Sequence, residues 1–87
     1  MGKHEKLLLK ILQGGSDRNI SFDELRKLLI KFGFDERVKG SHHILVKEGI
    51  EEIINIHSKS GMAKPYQVKQ VRNIIIKYNL NSQEDEK

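Results

Sequence analysis

Apolar residues recur along this chain with two different periods, and the change of period divides it. Within Lys3 to Gln13, Leu7, Leu8, Ile11 and Leu12 repeat at the spacing of one helix face, and Gly14-Gly15 stops the run. The pattern predicts a short amphipathic helix. Ser21-Phe22-Asp23-Glu24 then has the form of a capping box, in which the Ser21 hydroxyl accepts from the Glu24 amide and the Glu24 carboxylate reaches back to the Ser21 amide. Ile20 and Leu25 supply the accompanying hydrophobic staple. Leu25, Leu28, Leu29 and Phe32 follow at i, i+3, i+4 and i+7, a core-facing stripe, and Gly33 marks its end.

From Phe34 to His57 the period shortens. Phe34 to Lys39, His42 to Lys47 and Ile50 to Ile56 are rich in Val and Ile and are separated by Gly40-Ser41 and Glu48-Gly49, which predicts three antiparallel strands joined by tight hairpins. A loop from Ser58 to Lys64 leads to Pro65, a residue suited to the first turn of a helix, and Val68, Val71, Ile75 and Tyr78 give that helix a buried face. The order helix, helix, three strands, helix predicts an α+β fold, a two-layer α-β-β-β-α sandwich with an additional N-terminal helix. Its core is expected to hold Leu28, Leu29, Phe32, Ile44, Val46, Ile54, Val71 and Ile75. Double-stranded-RNA-binding domains share this order, an analogy of fold that carries no function by itself.

At 87 residues the chain has room for one domain and a small core, expected over residues 1–80 with 21–80 as its centre. The last seven residues, Asn81 to Lys87, read as an acidic disordered tail. There is no cysteine, which removes disulfides, thiolate metal sites and cysteine nucleophiles and fits a reducing compartment, so the cytoplasm is the expected location. No apolar run approaches the roughly 20 residues of a membrane span, and no signal peptide is legible at the start.

The net charge of +4 understates an asymmetry, because Ile53 to Leu80 holds Lys59, Lys64, Lys69, Arg72 and Lys77 and no acidic residue. That third of the chain suits either a polyanionic partner or a solvated surface. The residues expected to hold phosphates are Lys39, Lys64, Lys69 and Arg72, with Lys64 beside the backbone amides that open the last helix.

Two of the four histidines are adjacent, in Lys39-Gly40-Ser41-His42-His43-Ile44. An imidazole titrating near pH 6.5 can take or give a proton at neutral pH, which RNA cleavage by the neighbouring 2′-hydroxyl requires. Strand alternation places His42, Ile44 and Val46 on one face and His43, Leu45 and Lys47 on the other. The first set is the more apolar, so periodicity puts His42 half desolvated at the edge of the core face and makes His43 the more accessible. On spacing alone either histidine, or neither, is chemical. His57, at the exit of the third strand, could join them across the sheet. No Cys or helical His pair accompanies these histidines, so a metal site and any cofactor are disfavoured.

The helix ending in Phe32-Gly33-Phe34, the strand leading into Gly40-Ser41-His42-His43-Ile44, the hairpin, the Ile-rich strand and the closing basic helix together resemble the HicA toxins, small ribonuclease partners of HicB antitoxins. The resemblance spans roughly Ser21 to Leu80. It implies a metal-independent endoribonuclease that cleaves mRNA and is neutralised by a HicB-type antitoxin. It also implies that the His after the Gly-Ser pair, His42, is catalytic. Gly40, Ser41, His43 and His57 are the accessory candidates around it, the last from strand adjacency alone. The chain departs from the common pattern in its extra first helix and in the hairpin Lys47-Glu48-Gly49-Ile50. The competing expectation is a non-catalytic RNA-binding or protein-binding module on the same scaffold.

Overall fold

In a computed structural model describing residues 2–58 and 60–80, the elements are α1 (Lys3–Gln13), a 3₁₀ turn (Asp17–Asn19), α2 (Phe22–Lys31), β1 (Asp35–Lys39), β2 (His42–Lys47), β3 (Ile50–Ile56) and α3 (Pro65–Tyr78). The acidic tail expected over 81–87, and Lys59, lie outside the described residues. The strands form one antiparallel sheet in the order β1-β2-β3, so the two adjacent histidines lie on its central strand. Helices α2 and α3 cover one face, giving the expected α+β sandwich, and among the described residues no element covers the other.

The element boundaries have local causes. The Ser21 hydroxyl accepts from the Glu24 amide at 3.3 Å and starts α2, while Ile20 and Leu25 are fully buried beside it. Pro65 opens α3, and the buried Gln67 side chain accepts from the Lys64 amide at 3.2 Å. Gly40 takes φ +59° at the first corner of the two-residue turn before His42, the corner a glycine fills in a II′ hairpin. The loop before α3 is clipped to the start of α2. Phe22 donates to the Gly61 carbonyl at 3.1 Å and Ala63 to the Ile20 carbonyl at 2.9 Å, which fixes where Lys64 stands.

The core joins Leu25, Leu28, Leu29 and Phe32 of α2, Leu45, Ile54 and Ile56 of the sheet, and Val68, Val71, Ile74 and Ile75 of α3. Leu7, Leu8 and Ile11 of α1 are buried in the same cluster, so the additional helix is part of the core. Arg72 of α3 fastens it from below: its guanidinium donates to the Ile11 carbonyl at 3.2 Å and to both Asp17 carboxylate oxygens at 2.9 and 3.2 Å.

Two members of the expected core are corrected. Ile44 and Val46 are only half-buried, while Leu45 between them is 0% exposed, so the two faces of β2 are the reverse of the expectation from alternation. The reason is the pairing with β3. Leu45 stands opposite Ile54 and His43 opposite Ile56, and both isoleucines face the helices. Lys47 is half-buried on that inner side, its ammonium nitrogen 2.6 Å from where a Gly33 Cβ would lie.

Candidate active site

The register of β2 decides what each histidine can do. His43 faces the helices, half-buried, with its ring edge-on to Phe22 at 4.9 Å and its Nδ1 2.6 Å from Glu36 Oε2. The same Glu36 oxygen accepts from Arg26 Nε at 2.6 Å. Burial raises the Glu36 pKa, but the hydrogen bonds from His43 and Arg26 and the guanidinium charge outweigh it and hold the carboxyl below its ordinary value. Glu36, His43 and Arg26, which also donates to Asp23 at 3.0 Å, thus form a polar network that ties β1 and β2 to α2.

His42 projects from the opposite, open face and is exposed, not half desolvated. Its Nδ1 lies 3.1 Å from Asn55 Oδ1. A carbonyl oxygen only accepts, so Nδ1 carries a proton and Nε2 is left to exchange one with a substrate. Beside it stands His57, just past the end of β3, with ring centroids 5.0 Å apart and the planes inclined at 60°. The His57 pKa is lowered, first by desolvation, then by the charges of Lys64 and His42. Lys39 pairs directly with His42 across the β1-β2 ladder.

The fold therefore brings Lys39, His42, Asn55 and His57 to one end of the open sheet face, with exposed Gly40 and Ser41 in the turn at its rim, and Lys64 at the start of α3 is near enough for its charge to act on His57. Lys69 is exposed on α3 and lines a shallow groove of about 320 Å³ with Glu52, Tyr66, Gln70 and Asn73. Arg72 is not brought to either surface, because its guanidinium is engaged with Asp17 and Ile11. Asn55 was not singled out from the sequence, although alternation along β3 places it and His57 on one face and Ile54 and Ile56 on the other.

This arrangement has the parts of a proton-transfer site for a phosphodiester: two imidazoles, an amide that orients one of them, and two ammonium groups to offset phosphate charge. Among the described residues no group of three or more His, Asp or Glu side chains is placed to share a metal ion. The sheet carboxylates Glu36 and Glu52 are engaged, the first with His43 and Arg26 and the second with Lys77 and Tyr78. No helix among the described residues is long and apolar enough to cross a membrane.

A family model described as the HicA toxin of bacterial toxin-antitoxin systems matches residues 22–78, more than half of the chain. No curated protein and no solved structure matches it.

Proposed function

The chain belongs to the HicA toxin family of bacterial toxin-antitoxin systems, and from that membership we propose that it is an endoribonuclease acting on mRNA without a metal ion, with His42 as its central proton-transfer residue. The observation that carries this reading is the exposure of His42 on the open sheet face with Nδ1 bonded to Asn55, which aims proton exchange through Nε2. RNA supplies its own nucleophile. When the 2′-hydroxyl loses its proton, its oxygen attacks the adjacent phosphorus, the bond to the 5′-oxygen breaks, and the products are a 2′,3′-cyclic phosphate and a 5′-hydroxyl. Lys39 and Lys64 are suited to offset the charge on the crowded phosphorus and to hold the strand, while Lys69 extends the positive surface along α3.

The neutralising partner is proposed to be a HicB-type antitoxin. His42 is exposed on the sheet face away from the helices, so a partner segment laid over that face would cover His42, His57 and Lys39 together. Ile53, 60% exposed on that face, offers it an apolar contact.

RNA incubated with the purified protein in a chelator tests the reading. Cleavage with cyclic-phosphate ends is expected. Retention of RNA in a gel without cleavage would instead describe the non-catalytic RNA-binding module.

A further inference from the structure

We propose that His57 is a second catalytic residue, so that His42 and His57 act on one phosphodiester as an acid-base pair, His57 as the base and His42 as the acid. The inference rests on the reading of the chain as a ribonuclease, and it adds a residue to the machinery that His42 alone would not complete. Cleavage by a 2′-hydroxyl needs two proton transfers at opposite ends of the reacting phosphorus: one proton leaves the 2′-oxygen and one reaches the departing 5′-oxygen. One imidazole can make both transfers only by moving between them.

The geometry supplies two imidazoles. Because His43 pairs with Ile56, the residues that flank this pair on the open face are His42 and His57, and their rings lie 5.0 Å apart, tilted and not stacked. Asn55, two residues before His57 on the same face, accepts the Nδ1 proton of His42 in its neutral and charged forms alike, so exchange runs through Nε2. The groups that face His57 differ from those that face His42. Desolvation, then the charges of Lys64 from the start of α3 and of His42 from β2, lower the His57 pKa and so favour its neutral form. Lys39 on β1 stands beside His42.

The step balances as follows. Neutral His57 takes the 2′-hydroxyl proton as the 2′-oxygen bonds to phosphorus. The bond from phosphorus to the 5′-oxygen breaks, and the 5′-oxygen takes the Nε2 proton of His42 in its imidazolium form. His57 ends charged and His42 neutral, and exchange with water restores both.

The test is the pH-rate profile of the full chain on an end-labelled transcript in chelator. The wild type is expected to give a bell. His57→Ala should lower the rate by about 10²–10⁴-fold and lose the limb that rises from acid pH, while His42→Ala loses the limb that falls toward alkaline pH. The double variant should be little worse than either single one. His57→Asn, a smaller planar polar group, serves where the alanine variant does not fold. A His57 variant that keeps the full rate, or one that is slower with an unaltered bell, overturns the pair and leaves the ribonuclease reading standing if His42→Ala is inactive. Full activity in both single variants overturns the roles of both histidines, whereas a wild type that cleaves no RNA overturns the ribonuclease reading itself.

Discussion

His43 Nδ1 stands 2.6 Å from Glu36 Oε2 on the helix side of the sheet, although its neighbour His42 faces solvent on the other side. Two consecutive imidazoles are therefore in different environments. One is held by a carboxylate and packed against Phe22, and the other is open to a substrate. His43→Ala is expected to leave Glu36 half-buried with Arg26 as its remaining partner and to cost about 1–3 kcal/mol in a denaturant titration. Cleavage by the molecules that stay folded should persist. A His43 variant of normal stability and no activity would put the chemistry on the inner face.

Arg72 belongs to the scaffold by the same reasoning. Its fork holds both oxygens of Asp17 and the Ile11 carbonyl near the end of α1, 55 and 61 residues away in the chain. Arg72→Ala should destabilise the domain by about 1–3 kcal/mol, and Arg72→Lys should recover only part of the loss, because an ammonium cannot span two carboxylate oxygens in a planar fork. RNA affinity per folded molecule should not change. Unaltered melting with weakened RNA binding would return Arg72 to the phosphate-binding set.

Lys39 pairs with His42 across the sheet and the charge of Lys64 reaches His57, so these are the cations expected to meet phosphate. Replacing both with Gln should weaken RNA binding and reduce the slope of log K against log salt by about 1.4, the value for two contacts to a single strand. An unaltered slope would assign them to solubility or to the protein partner.

Acid should loosen the packing of β3 on α3. Glu52 accepts from Lys77 at 2.8 Å and from the Tyr78 hydroxyl at 2.7 Å, and these bonds draw its pKa from 4.5 down to about 2. The folded form holds its proton less tightly than the unfolded chain, so the stabilisation is complete above pH 4.5 and is lost as the pH falls toward about 2. The difference in melting temperature between the wild type and Glu52→Gln should follow that window. A difference that is constant across it would show that the ionised carboxylate contributes nothing.

The element boundaries were legible because each is written locally: Ser21 with Glu24, Gly40-Ser41, Glu48-Gly49 and Pro65 act within a few residues of themselves. Which face of β2 is buried was not, because that is decided by a partner strand. The sets His42-Ile44-Val46 and His43-Leu45-Lys47 differ little in apolar content. The choice between them follows from Leu45 pairing with Ile54 and from Glu36 and Arg26 satisfying a histidine on the inner side. For the same reason alternation favoured His43 as the accessible residue, whereas the resemblance in Gly40-Ser41-His42 pointed to the one that is exposed. Asp17 as the partner of Arg72 was beyond reach from the sequence, since that contact exists only once α1 has packed against α3.

The central claim is that His42 transfers a proton in RNA cleavage, and the most direct measurement is the cleavage rate of His42→Ala in chelator, with RNA affinity and melting temperature recorded on the same protein. The lost interaction belongs to the transition state, so cleavage should fall by about 10²-fold or more while affinity and melting stay close to those of the wild type. Full cleavage by His42→Ala would contradict the account.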